Sequence, residues 1–359
     1  MIRTFLPLSA SLLLVAPLAA QNDLRGISFA GSAFAVNSTT GSGSLLGPTG
    51  VAGLNSMARA GNTLVSVSSA GALVAIDPFT GAGSTIVALS PSLGSVRGLA
   101  ATPTGVLYAI QDGGLTSVVD RLYTIDPTTG TTTLVGNCSH NGLQGLASDL
   151  AGTLYAWDVG PGTGVGVGLV TVDPLTGAST DVDPNVGNAV DIQCLATSPA
   201  GVLYGGRNAL FTLDTTTGVA TLVGSGGFTD LRGMEFVPAA SCSLFNGSGV
   251  NPTVCSCATA PVLGTTWNLA VTPAANTVLT LLFASVAALP VPVPLFGGEA
   301  LIAPPAVDLG AGLGLHAVAL PADPQLAGFS LFLQGLRLNN GPSGLQIELT
   351  NGQFASLGF

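Results

Sequence analysis

Two histidines, His140 and His316, are the only side chains here with an ordinary pKa near neutrality, and the chain has no lysine. The missing lysine removes Schiff-base chemistry, a lysine general base and a phosphate-binding P-loop at a stroke. A Ser-His-Asp arrangement would have to use His140 or His316. His140 sits in "GNCSHNGLQG" (136–145), which reads as a loop joining two units of a repeat. His316 sits in "LGLHAVAL" (313–320), alternates with apolar neighbours and is expected to face outward. Neither lies in a G-x-S-x-G setting. A hydrolytic set would therefore draw on His140, Asp112, Asp149 and Asp158, and would need several of them in one cleft. Asp181, Asp183 and Asn185, with Asp191 beyond, follow the D-x-D-x-N spacing that opens a Ca2+ loop. The sixth position is Val186 rather than glycine and the twelfth is Ile192 rather than glutamate, so this is half a calcium motif in a polar loop.

The elements that would hold such groups announce themselves by repetition. In "LYTIDPTTGTTTLVG" (122–136) two stretches of period-two alternation flank Asp-Pro-Thr-Thr-Gly. The aspartate opens a tight turn, proline presets φ, and glycine closes the turn with φ > 0, so the stretch predicts a β-hairpin. The pentad returns at 77–81, 173–177 and 214–218, with a degenerate copy, "NSTTG", at 37–41, which gives spacings of 40 to 49 residues. A second phrase precedes each hairpin: "RGLAATPTGVLYAI" (97–110), "QGLASDLAGTLYAW" (144–157), "QCLATSPAGVLYGG" (193–206) and the degraded "NSMARAGNTLVSV" (55–67). Each reads as strand, turn, strand. Four strands at this period signal the blade of a propeller.

The two ends of the repeat region complement one another. Residues 26–47 supply three strands but lack a first one, and "LRGMEFVP" (231–238) supplies it. A shared blade of this kind closes a ring of five. Taking "LRGISF" (24–29) as an inner strand of its own gives the alternative count of six. The residue that opens each first-strand phrase is Asn55, Arg97, Gln144, Gln193 or Arg232, and repeat symmetry places these five in a ring about the channel. Long polar side chains at all five positions suit an anionic or carbohydrate ligand, or hydrogen bonds between neighbouring blades.

The repeats resemble a family of bacterial exported propellers built on LYxIDPxTGxxTxVG units, related to the NHL and WD40 propellers, over residues 24–238. The resemblance implies the fold and leaves the function open. From residue 259 the pentad disappears and short apolar strands alternate with proline-rich joints such as "ALPVPVPLFGG" (288–298), which predicts a small β-sandwich. "PVLGTTWNLAV" (261–271) with "ALPADPQLAGFSLFLQGLRLN" (319–339) resembles a C-terminal module of exported proteins from Planctomycete-type bacteria. There it follows unrelated domains, which implies sorting or surface attachment.

The expected organisation is thus a signal peptide (1–20), an all-β propeller (21–238), a cysteine-containing linker (239–258) and a β-sandwich (259–359). Arg3 and "LSASLLLVAPL" supply the charged and apolar parts of the leader, with cleavage after Ala20. The mature chain is expected to be secreted, cell-surface or periplasmic, with no membrane span and a glycan or protein as partner. A net charge of −10 argues against nucleic acid. Some of the five cysteines should pair in an oxidising compartment. Cys242 with Cys255 or Cys257 is the first expectation, and Cys138 with Cys194 the second. No catalytic set stands out, so the function expected is non-catalytic binding or a structural role. The alternative is a hydrolase or lyase acting on a glycan or lactone at the channel mouth.

Overall fold

The structure is a computed structural model that describes residues 23–113, 119–160 and 166–359. The expected leader lies outside the described residues. Among them every regular element is a β-strand apart from one 3-10 turn, Pro324–Leu326.

Residues 24–236 form five antiparallel sheets of four strands each. Read outward from the centre, the first sheet runs Leu231–Phe236, Leu24–Ser28, Ser32–Val36, Gly43–Pro48. The N-terminal strand Leu24–Ser28 is therefore second in its sheet, paired with Leu231–Phe236 in the register Leu24↔Phe236, Arg25↔Glu235 and Gly26↔Met234. The inner strands of the second to fifth sheets are Ala58–Ala60, Val96–Ala101, Leu143–Ser148 and Cys194–Thr197. Each inner strand touches the inner strand of the next sheet, and that of the fifth returns to that of the first. The chain folds as a β-propeller.

Its apolar core lies between the sheets rather than within any one of them. Leu99 and Leu107 of the third sheet pack with Val65 and Leu73 of the second. Ile110 and Leu122 of the third pack with Leu146 and Leu154 of the fourth. Trp157, Leu195 and Leu213 fill the seam between fourth and fifth, and Leu24, Leu210 and Met234 that between fifth and first. A sheet of this kind is apolar on both faces and needs both neighbours to bury them.

The pentads form the hairpin turns expected of them and also clamp the seams. The Asp126 carboxylate accepts from the backbone N–H of Thr128 at 2.8 Å and from the Thr129 hydroxyl at 2.8 Å. Asp173 and Asp214 repeat the pattern, and Asn37 does the same with its amide oxygen. These bonds hold the carboxyls of Asp126, Asp173 and Asp214 below the usual carboxylate range. The closing glycine has a second duty. Gly130 takes φ +74°, and a Cβ there would stand 2.2 Å from the Ala88 carbonyl oxygen of the preceding sheet. Only glycine lets the turn sit this close.

Beyond residue 240 two sheets share one core. The larger has Ser241–Phe245, Gly344–Ser356, Ser330–Gly341, Thr277–Ser285 and Val307–Gly312 in that order, and the smaller has Cys255–Cys257, Thr266–Val271 and Leu315–Ala319. Trp267, Leu269, Leu282 and Leu333 lie between them. A hairpin pairs Ala288–Leu295 with Gly298–Ile302, and its second strand lies against the larger sheet, where the Leu301 N–H donates to Gln334 Oε1. The last residues return to the propeller, where Leu263, Leu357 and Phe359 join Ile27, Met57 and Ile76 in one apolar cluster.

Several expectations need correction. Cys242 bonds Cys257 with a Cα–Cα separation of 6.4 Å, as one of the two first-choice pairings had it. Cys138 and Cys194 do not pair: both are free and buried, Cys138 in the seam between third and fourth sheets and Cys194 in that between fifth and first. Cys255 is also free, since it points into the C-terminal core. His316 faces inward, buried, with Nε2 3.0 Å from the Thr280 hydroxyl, while its neighbour Leu315 is exposed. The hydroxyl on the facing strand satisfies the ring, so the imidazole can take the core side of the alternation.

Two substitutions test the pentad. Asp126→Asn keeps the acceptor, as Asn37 does naturally, and leaves the melting temperature nearly unchanged. Gly130→Ala forces both an unfavourable φ and a backbone clash, and costs about 2 kcal/mol or more. Chemical denaturation of the two variants beside the parent measures both effects.

Candidate functional site

The channel is built from one position-by-position correspondence. Aligned, the inner segments read 55–60 "NSMARA", 97–102 "RGLAAT", 144–149 "QGLASD", 193–198 "QCLATS" and 232–237 "RGMEFV". The second residue of each is Ser56, Gly98, Gly145, Cys194 or Gly233, and there the backbones meet. A Cβ on Gly98 would lie 2.7 Å from the Gly145 carbonyl oxygen, one on Gly145 2.7 Å from Leu195 N, and one on Gly233 2.5 Å from the Ser56 carbonyl carbon. This is the waist of the channel.

On one side of the waist lie the five first-position residues. The structure ties most of them down. Arg97 pairs with Asp112 at 2.6 Å. Arg232 donates to Gln193 Oε1 across the seam at 2.9 Å and to both carboxylate oxygens of Asp230. Arg207 adds bonds to Asp230 at 2.8 Å and to Asp191 at 2.5 Å, which completes a network of two guanidiniums and two carboxylates. Burial pushes the Asp230 carboxyl up, but the two arginines outweigh it and hold the carboxyl low. The Arg232 guanidinium also stands 5.0 Å from the centre of the Phe29 ring. Asn55 precedes its strand rather than lying in it. Among the described residues its Oδ1 and the Oε1 of the buried Gln144 have no hydrogen-bond partner.

On the other side of the waist the channel widens into a cavity of about 830 Å3. Its walls are the far ends of the inner strands and the turns that follow them: Ala100, Ala147, Ser148, Ala196, Thr197 and Glu235, with Arg59 and Asp149 at the sides and Ser241 and Ser356 contributed from beyond the propeller. The fourth position of the inner segments is Ala58, Ala100, Ala147, Ala196 and, in the first sheet, Glu235. Ala100, Ala147, Ala196 and the one carboxyl border the same space, while Ala58 is buried in the seam between the second and third sheets. Glu235 Oε1 accepts from the Phe236 N–H at 2.8 Å. Among the described residues it takes part in none of the five ion pairs. Enclosure by the channel wall pushes its carboxyl up to about 7, against the pull of the Phe236 N–H and of Arg59 on the neighbouring strand. Thr197 Oγ1, on the adjoining wall, is buried with no hydrogen-bond partner among the described residues.

The other candidates are dispersed. His140 Nδ1 lies 2.7 Å from the Ser179 hydroxyl, which also accepts from the backbone N–H groups of Ser139 and His140. Asp158 accepts from Gly160 and Val167, and Asp149 from Ala151 and Thr153. Asp149 borders the cavity, whereas Asp112 is bound to Arg97 on the other side of the waist. In the half calcium motif, Asp181 accepts from the Asp183 N–H and Asp183 from the Asn185 N–H. Among the described residues no three His, Cys, Asp or Glu side chains gather as metal ligands would.

Glu235 is the residue the motif search missed. It sits in none of the expected motifs, and the signal for it was the alignment itself: one glutamate in a column of alanines.

No family model matches the chain, and no curated protein does. Solved structures do. A gluconolactonase from Xanthomonas campestris is 14% identical, with 70% of this chain and 84% of that one covered and a TM-score of 0.39. The extracellular domain of a one-component system from B. thetaiotaomicron is 10% identical over 92% of this chain and 57% of that one, with a TM-score of 0.34. The computationally designed Ika8 protein is 16% identical over 59% and 61%, with a TM-score of 0.33. At these values the likenesses carry no argument about activity.

The Glu235 carboxyl has a measurable consequence for stability. Its folded pKa lies above the unfolded value, so stability present at acid pH is lost as pH rises from the unfolded pKa through about 7. Glu235→Gln removes that loss. The variant melts close to the parent at pH 5 and above it at pH 8, by about 3 kcal/mol at most. Calorimetry at the two pH values decides it.

Proposed function

We propose that this chain is an exported, non-catalytic binding protein of the cell exterior, with the propeller channel as its ligand-holding part. The observation that carries this reading is the cavity. It has the size of a small-molecule site, and it is walled by the ends of the inner strands and the turns that follow them. The hydroxyls of Ser148, Thr197, Ser198 and Thr102 along its walls suit a hydroxylated ligand such as part of a cell-surface glycan. Export accords with the leader-like N-terminus and with the Cys242–Cys257 disulfide. Among the described residues no helix is long and apolar enough to cross a membrane. The C-terminal sheets, which resemble a module carried by unrelated exported proteins, serve in this reading for sorting or attachment.

The first-position ring takes a different part from the one its composition suggests. Two of its three amide members, Asn55 and Gln144, have buried amide oxygens without a hydrogen-bond partner among the described residues, while Arg97 and Arg232 are neutralised by aspartates. Such a collar disfavours an anion, which would have to displace an existing carboxylate.

The catalytic alternative has one group in its favour, the near-neutral carboxyl of Glu235. Of the expected hydrolytic set only Asp149 borders the same cavity, and its carboxylate accepts from the Ala151 and Thr153 N–H groups, while His140, Asp112 and Asp158 are bound elsewhere. Incubating the mature protein with chromogenic glycosides and with lactones separates the two readings. The expected result is no turnover, together with melting-temperature shifts by glycan fragments that vanish in Ala147→Leu, which fills the cavity. Turnover that disappears in Glu235→Gln would replace the binding reading with the catalytic one.

A further inference from the structure

We propose that the channel cavity is a site for an organic ammonium ligand, anchored on the Glu235 carboxylate; the proposal rests on the cavity being the binding site and names what it selects.

The argument begins with what a carboxyl does in such a place. Enclosing a carboxylate costs free energy unless a cation or several donors compensate. Glu235 has the Phe236 N–H at 2.8 Å and the backbone of Arg59 on the next strand. The Arg59 guanidinium attracts it from the next strand, but no ion pair closes on it within the described residues. The charged groups around it are few. Arg59 lies on the adjoining inner strand and Asp149 on the far wall. Arg25 faces it in the strand register, but the Arg25 Nε is spent on the Pro78 carbonyl at 2.7 Å and its guanidinium lies 5.4 Å from the Phe359 ring. The cavity therefore holds two carboxyls and one guanidinium.

The rest of the wall decides the kind of cation. A metal ion needs several oxygen, nitrogen or sulfur ligands converging on a point, and the four positions equivalent to Glu235 are alanines. Alanine methyls leave room for a carbon skeleton beside the charge. Thr197 belongs to the same wall, and its Oγ1 is buried with no hydrogen-bond partner among the described residues. Two carboxyls against one guanidinium leave the cavity with an excess of negative charge, and three methyls beside it fit an ammonium group on an aliphatic or hydroxylated body.

Binding a cation to a carboxyl that titrates near neutrality must release a proton at acid pH. An amine with a pKa near that of lysine stays charged throughout, so the pH dependence reports Glu235 alone. The probes are N-methylglucamine, 5-aminopentanol and spermidine, with sorbitol and 1,5-pentanediol as neutral counterparts, titrated calorimetrically into the mature protein. The expected result is that at least one amine binds at pH 8. It then binds about tenfold more weakly at pH 6, and Glu235→Gln abolishes both the binding and its pH dependence. The isosteric glutamine variant is checked for folding by circular dichroism. Neutral compounds that bind as well as the amines, or amine binding that Glu235→Gln leaves intact, overturn the proposal while the cavity keeps its binding role. Absence of binding by every probe overturns the ammonium assignment, and Ala147→Leu with a glycan fragment then judges the cavity separately.

Discussion

Five inner strands can surround one axis only if their backbones nearly touch, and at the second position of each strand they do. Gly98, Gly145 and Gly233 are placed where any Cβ would strike the neighbouring strand, and the remaining two seats hold serine and cysteine. Everything else in the channel is spaced from this waist. One residue before it, Arg97 pairs with Asp112 of its own sheet and Arg232 reaches Gln193 across the seam. Two residues after it, alternation returns a side chain to the channel, and small residues there leave an opening instead of a plug.

The same constraint explains where apolar free energy is placed. No single sheet has a core, because each face is completed by the next sheet in the ring. The seam between first and second sheets is completed by Leu263, Leu357 and Phe359 as well, with the Phe359 and Phe79 rings 4.8 Å apart. The C-terminal residues are thus a structural part of one propeller seam. This arrangement also brings Ser241 and Ser356 to the rim of the cavity.

Much of the fold was legible because turns and strand ends are written in residues with few alternatives. Asp126, Pro127 and Gly130 specify one turn, and their recurrence specifies the hairpins. The joining of residues 231–236 to 24–28 followed from two partial repeats that complete one another. The site was less legible. The five polar residues of the ring were found by symmetry, but the aspartates that neutralise Arg97 and Arg232 lie on strand ends and loops whose approach depends on packing. His316 was misplaced because polarity suggests a face only until a partner such as Thr280 satisfies the ring. Cys255 and Cys257 have the same spacing pattern and differ only in what surrounds them, which alternation alone does not describe. Glu235 stands in a stretch whose composition reads as ordinary strand, and its unusual carboxyl arises from enclosure, a property of the closed ring.

The first sheet takes its innermost strand from residues 231–236 and its other three from residues 24–48. A chain made from its N-terminus therefore produces three strands long before the strand that completes their sheet. During that interval Leu24–Ser28 presents an unpaired edge, and the seams on either side of the first sheet have only one wall. Closure must wait for a contact spanning some two hundred residues, which places this protein among slow, high-contact-order folders. The cost is a period with an exposed strand edge, when a second unfinished copy offers the same missing strand.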